Sequence, residues 1–245
     1  MKVVVTGFDP FGGEAINPAF EAVKKLPAEI AGAEIIKVEV PTVFGTSGEK
    51  VAEAIETHQP DMVICVGQAG GRQTVTVEKV AINLAEARIP DNAGQQPSDV
   101  PLVEDGATAY FTNLPIKAMV KNCHDHQLPA AISYTAGTFV CNDIMYHLLH
   151  LINTKYPTIR GGFIHVPFLP EQTIDKPTFA SMSLEAITDS LFYMIEAATA
   201  GTEATPSEIS RNSPKIKEQF SEIPSYFSEL NAAVPTSFYF YKKKK

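Results

Sequence analysis

The chain is poor in cysteine, lacks any long apolar run and has no excess of positive charge. Cys65, Cys123 and Cys141 are an odd set of three in 245 residues, without a disulfide framework. A reducing cytoplasm is the default compartment for such a chain. No stretch of about 18 apolar residues occurs, so no membrane span is expected. The opening residues, MKVVVTGFDP, hold only a short apolar run before Gly7, Asp9 and Pro10. That run is too short for the core of a secretory signal and reads better as a first strand. A formal net charge of −8 leaves no general basic face for nucleic acid. What is present, 44% hydrophobic and 20% charged residues, suffices for a sizeable core.

Strand and helix signals alternate along residues 1–200. Strands are expected at 2–8, 34–40, 61–66, 130–134 and 160–166, with 73–84 extended. The run at 61–66 is almost wholly apolar, as in a sheet covered on both faces. A helix opens at Asn17-Pro18, with Asn as cap and Pro in the first turn. A second follows from Thr46, whose spacing to Glu49 fits a capping box. Further helices are expected over 115–126, from Val140 to about Lys155, and over 181–198. This alternation predicts an α/β fold, a three-layer α/β/α sandwich with a mostly parallel twisted sheet. In such folds the ligand site lies beyond the carboxyl ends of the strands. Phe8, Gly67-Gln68, the Cys141 segment and His165 are all expected at that rim.

Cys141 falls in the first turn of a helix that follows a strand. Free backbone N–H groups and the helix dipole there favour a thiolate, so a lowered pKa and a usable nucleophile are expected. The other reading is a small buried apolar residue. His165, at a strand terminus, is either the base such a nucleophile needs or a core histidine satisfied by backbone. Glu78 is either an exposed edge residue or a buried carboxylate with a partner. As that partner it would hold the imidazole tautomer. The turn GQAGGR, at 67–72, could cradle an anion but matches no nucleotide-binding pattern. Cys123, His124, Asp125 and His126 crowd together in sequence, yet consecutive helical residues diverge. They read as a solvated helix end rather than a metal site, as do His147 and His150.

Taken together, VTGFDPFGG (5–13), INP (16–18), GQAGGR (67–72), VEKVAINLAEARIPDN (77–92), TAGTFVCN (135–142) and GGFIHVPFLPEQ (161–172) bring a family into view. The chain resembles the type I pyroglutamyl peptidases, also called pyrrolidone-carboxylate peptidases. The resemblance implies a cytoplasmic cysteine peptidase that removes N-terminal pyroglutamate from peptides. It implies Cys141 as nucleophile, His165 as base and Glu78 as orienting carboxylate. It places Phe8, Phe11 and Gln68 at the substrate, and Arg88 beside the Cys141 N–H as an oxyanion donor. No metal or organic cofactor is implied, and a homo-oligomer, a tetramer in particular, is expected. The alternatives are another cysteine amidase or deamidase on the same scaffold, and a binding module that holds anions on the glycine-rich turn.

Residues 1–200 are expected to be a single catalytic domain, and 201–245 an extension outside the resemblance. Pro206, Pro214, Pro224 and Pro235 interrupt that extension. Its first part reads as a linker. Ile216, Phe220, Ile223, Phe227 and Leu230 recur at helical steps beyond it.

Overall fold

The computed structural model describes residues 1–200; the extension with its linker and apolar stripe lies outside the described residues. Strands β1 (Lys2–Phe8), β2 (Glu29–Ile30), β3 (Ala33–Val40) and β4 (Met62–Gln68) alternate with helices α1 (Pro18–Lys25) and α2 (Thr46–His58). Then come β5 (Val75–Glu78), β6 (Val80–Ile82), β7 (Ala109–Phe111), α3 (Ile116–Asp125), β8 (Ala130–Ser133), α4 (Val140–Thr154), β9 (Arg160–Val166) and α5 (Leu184–Ala200). Seven strands form one sheet in the order β2-β3-β1-β4-β9-β5-β8. β1, β3, β4 and β9 pair in parallel. β2 is an antiparallel edge, and β5 and β8, parallel to each other, run against β9.

Both faces of the sheet are covered, which is why its central strands read as continuous apolar runs. Side chains alternate between the faces along a strand. Val3, Val5, Met62, Ile64, Ile164 and Val166 pack with α1, α3 and α5. Val4, Phe8, Val63, Cys65 and Phe163 pack with α2 and α4. The α/β/α sandwich read from the sequence is therefore the observed architecture.

Local signals held where a side chain could act on its own helix. The Asn17 side chain accepts the Ala19 N–H at 3.0 Å, and Pro18 opens α1. The capping box expected at Thr46 does not form. Gly45 caps α2 at φ +73° with no side-chain bond, because Thr46 is already inside the helix. The extended run at 73–84 is two strands broken at Lys79. The first joins the main sheet, and the second pairs with β7 in a separate two-stranded ribbon.

The histidines also depart from a simple solvated reading. Cys123 is fully buried, with its thiol toward Ser190 O. His126 stacks on Tyr193, while His150 Nδ1 meets the Tyr110 hydroxyl at 3.0 Å. His147 Nδ1 meets Asp143 O at 2.9 Å. Among the described residues, no helix is long and apolar enough to cross a membrane.

Candidate active site

Two-residue alternation puts Phe8, Cys65, Gly67, Phe163 and His165 on the α2–α4 face of the sheet. Gly67 of β4 lies beside His165 of β9 in register. A methyl group at Gly67 would stand 2.9 Å from Cys141 Sγ and 2.7 Å from the Phe163 ring. The sulfur thus sits against the backbone next to His165, in a gap that a glycine leaves open. The glycine in the turn that suggested an anion cradle serves close approach instead. Gly67 and His165 are where the rim argument put them. The Cys141 segment reaches them differently, because β8 runs against β9 and residues 134–139 bring the chain back to the start of α4.

Glu78 is buried, not an exposed edge residue. Its Oε1 accepts from His165 Nδ1 at 2.7 Å and from Arg72 Nη1 at 2.5 Å. Burial raises the Glu78 pKa, but the hydrogen bond and charge of His165, with Arg72, outweigh it and leave the carboxyl below its ordinary value. Burial lowers His165 below its ordinary value, more than Glu78 pulls it up. At neutral pH the pair is therefore carboxylate and neutral imidazole. Nδ1–H is held by Glu78, and Nε2 is left as the nitrogen free to take a proton.

α4 begins at Val140, so Cys141 lies in its first turn as expected. Phe139 O takes the N–H groups of Asn142 and Asp143, while the Cys141 N–H has no acceptor among the described residues. The thiol itself departs from the lowered value expected of a helix start. Burial pushes Cys141 up to about 12, the Glu78 charge adds to the rise, and Arg72 opposes it. Desolvation against the sheet and a nearby carboxylate both favour the neutral thiol. The resting sulfur is a thiol that needs a base, and no hydrogen bond joins it to His165 among the described residues.

Cys141 opens on a cavity of about 380 Å3. Phe8, Phe11, Phe139, Phe168 and Phe179 give it aromatic walls, and Asn17, Thr42, Gln68 and Arg88 supply polar groups. No aspartate or glutamate is among its lining residues. Phe11 stacks at a tilt on Phe139 with centroids 5.2 Å apart. Phe8, only 2% exposed, is as much core as wall. Gln68 Oε1 accepts from Gln172 Nε2 at 2.9 Å, so its carbonyl is already used. A second cavity, about 480 Å3, lies by Asp143 and His147, but Cys141 does not line it.

The sequence reading missed the groups that hold these walls. Asp9 Oδ1 accepts from Thr42 N at 2.7 Å and Thr42 Oγ1 at 2.8 Å, and Asn17 Nδ2 donates to Asp9 O at 2.8 Å. Asp91 carries Phe44 N at 2.9 Å and Gln95 N at 2.8 Å. Asn142 clamps β6, and Arg72 joins the Glu78 pair. Each lies in or beside a glycine-, proline- or cysteine-bearing motif, which was the only signal available. Among the described residues no group of His, Cys, Asp and Glu is placed to hold a metal ion.

The profile of the pyroglutamyl peptidase family matches residues 1–201. The pyrrolidone-carboxylate peptidase of Clostridium botulinum is 58% identical over 198 residues, 81% of this chain and 93% of the relative. That of Clostridium perfringens is 59% identical over 197 residues, covering 80% and 92%. Among solved structures, pyroglutamyl peptidase I of Bacillus amyloliquefaciens superposes with a TM-score of 0.79 at 53% identity, covering 81% of this chain and 97% of that one. A variant of pyrrolidone carboxyl peptidase from Pyrococcus furiosus does so with a TM-score of 0.79 at 43% identity, covering 82% and 99%. The chain belongs to the pyroglutamyl peptidase family.

Proposed function

We propose that the chain hydrolyses the bond after an N-terminal pyroglutamate with Cys141 as nucleophile, His165 as general acid–base and Glu78 as the carboxylate that orients it. The Cys141 thiol gives its proton to His165 Nε2 as sulfur attacks the pyroglutamyl carbonyl. The tetrahedral oxyanion is taken by the Cys141 N–H and the Arg88 guanidinium, which lines the same cavity. The intermediate collapses and expels the peptide amine, which receives the proton from His165. Water, activated by the same imidazole, then cleaves the thioester. Glu78 stabilises the imidazolium formed in each half-reaction.

Pyroglutamate is a flat, uncharged lactam with no free α-amine. Its pocket needs aromatic walls and amide partners but no carboxylate to hold an ammonium group. Phe8, Phe11 and Gln68 are assigned to it. The carboxylate-free aromatic cavity opening on Cys141 is the observation that carries this assignment.

The test is release of fluorophore from pyroglutamyl-aminocoumarin, run beside a panel of plain acyl amides, with and without iodoacetamide. Cleavage of the pyroglutamyl compound alone, lost on alkylation and absent in Cys141→Ser, is expected. Turnover by the alkylated enzyme or by Cys141→Ser would refute the roles. Equal cleavage of plain amides would point to a general amidase.

The chain is further assigned to the cytoplasm as a homotetramer. Free Cys65, Cys123 and Cys141 agree with a reducing compartment. Light scattering on the purified chain tests the subunit count; a monomer would reject it.

A further inference from the structure

Glu78 Oε1 receives two donors at once, His165 Nδ1 at 2.7 Å and Arg72 Nη1 at 2.5 Å. Orienting an imidazole takes one carboxylate and one hydrogen bond. The second donor here is a guanidinium, which stays charged at every working pH. Arg72 is held in place, its side chain only 25% exposed. Nη1 also donates to Thr76 Oγ1, and Nη2 donates to Thr135 O at 3.0 Å. Thr76 is the cross-strand neighbour of His165. Thr135 lies in the connection that leads to Cys141. One side chain therefore touches the orienting carboxylate, the strand beside the base and the loop before the nucleophile.

We propose that Arg72 is a positioning residue of this site: it offsets part of the Glu78 charge felt by the His165 base, adding to what burial does, and it ties the loop ahead of Cys141 to the Glu78–His165 pair. The inference rests on the roles given above to Cys141, His165 and Glu78.

Burial already lowers His165 further than Glu78 raises it, and Arg72 adds to that lowering. Glu78 contacts the imidazole from β5 and Arg72 acts on it from the turn before β5, while Cys141 of α4 packs on Gly67, the register neighbour of His165, and Cys65 lies two residues before Gly67 on the same face of β4. Both thiols are neutral at rest, since burial pushes each up to about 12. One negative and one positive charge remain. The Glu78 carboxylate pulls towards the imidazolium, and an imidazole already protonated cannot accept the Cys141 proton. The carboxylate also disfavours the thiolate. Arg72 opposes both effects, acting to lower His165 and Cys141 alike. A fork is needed because the charge and the loop contact lie on different nitrogens; an ammonium supplies only a point charge.

The experiment compares the pH dependence of kcat/KM for wild type, Arg72→Gln and Arg72→Lys, with melting temperatures measured alongside. Arg72→Gln removes the charge and should move the acid limb up by about 0.5–1 pH unit, with kcat about tenfold lower. Arg72→Lys keeps the charge and should return the acid limb to the wild-type position, while kcat stays below wild type. An acid limb in Arg72→Gln that coincides with wild type overturns the inference, whatever the melting temperature. So does a shift in Arg72→Lys as large as in Arg72→Gln. Arg72→Met gives the same charge readout should the glutamine variant not fold. Cys141→Ser and His165→Asn are assayed in parallel. Turnover in either removes the roles on which the inference rests, whereas two inactive controls with an unmoved Arg72→Gln limb reject Arg72 alone.

Discussion

Asn142, the residue after Cys141, holds both peptide groups of Ile82. Its Oδ1 accepts the Ile82 N–H at 3.0 Å, and its Nδ2 donates to Ile82 O at 2.9 Å and Leu84 O at 3.1 Å. The side chain thus fixes the start of α4 to β6 as a neighbouring strand would. Asn142 is 1% exposed, so water cannot replace what it supplies. Although Ile82 O keeps the Leu84 N–H at 2.9 Å, Asn142→Ala removes three part-buried hydrogen bonds, a loss of about 3 kcal/mol. That corresponds to a melting temperature lower by roughly 6–12 °C. The start of α4 also loses its anchor, so kcat is expected to fall more than KM rises. Calorimetry and steady-state kinetics on one preparation check both parts, and an unchanged melting temperature would show that the clamp contributes nothing.

Gly67 is the close approach on which the sulfur depends. A Cβ there would meet Cys141 Sγ at 2.9 Å and the Phe163 ring at 2.7 Å. Gly67→Ala must displace the sulfur or the ring by several tenths of an ångström. A catalytic atom so displaced loses roughly 10–100-fold in kcat, and the fold should survive because flexible side chains can give way. Gly7 is the contrast. A Cβ there would meet Phe20 Cα at 2.6 Å, which is helix backbone, so Gly7→Ala should cost stability first. The two variants should separate in a plot of kcat against melting temperature.

The residues that could be read from the sequence are those whose job is local. Val3–Val5 and Val63–Val66 announce a sheet buried on both faces. Asn17-Pro18 announces a helix start, and Cys141 falls in the first turn its flanking pattern predicts. What stayed hidden depends on partners far along the chain. Glu78 could be edge or interior until His165, 87 residues away, was seen on its carboxylate. The direction of β8 depends on which strand it pairs with, and no residue of β8 encodes that. Thr46 and Glu49 had the spacing of a cap, but Gly45 took the position by its backbone. The thiol of Cys141 was read from its helix alone, whereas the sheet and Glu78 set its protonation.

The depressed pKa of His165 gives the pH dependence its sign. Burial lowers it below the ordinary 6.5, with Glu78 resisting. The imidazole is therefore a competent base at neutral pH and loses that role only as pH falls through the folded value. The acid limb of kcat/KM should lie below pH 6.5. A limb above pH 7 would show that Glu78 holds the imidazolium at rest. The same shift bears on stability. Between the folded value and 6.5 the unfolded chain binds more protons, so this contribution is present above 6.5 and lost on acidification. His147 acts oppositely. Burial lowers it, yet bonding and charge from Asp143 outweigh that and raise it, so its contribution is present below 6.5 and lost as pH rises through the folded value. The two partly cancel in a melting curve, which makes activity the cleaner measurement.

Phe11 separates the roles of wall and core. It lines the cavity beside Cys141 and stacks on Phe139 at 5.2 Å, whereas Phe8 is nearly sealed and packs toward Phe163 at 6.4 Å. Removing the Phe11 ring takes an aromatic face from the lactam but leaves the sheet packing intact. One such face is worth about 1–1.5 kcal/mol, or roughly tenfold in binding. Phe11→Ala should therefore raise KM for pyroglutamyl-aminocoumarin about tenfold and shift the melting temperature little. Phe8→Ala should lower the melting temperature far more, with a loss of about 3–5 kcal/mol expected for a buried phenylalanine, besides any rise in KM from the wall it also supplies. Were Phe11→Ala to lower the melting temperature as far as Phe8→Ala while leaving KM unchanged, Phe11 would belong to the core and the lactam would be recognised by other walls of the cavity.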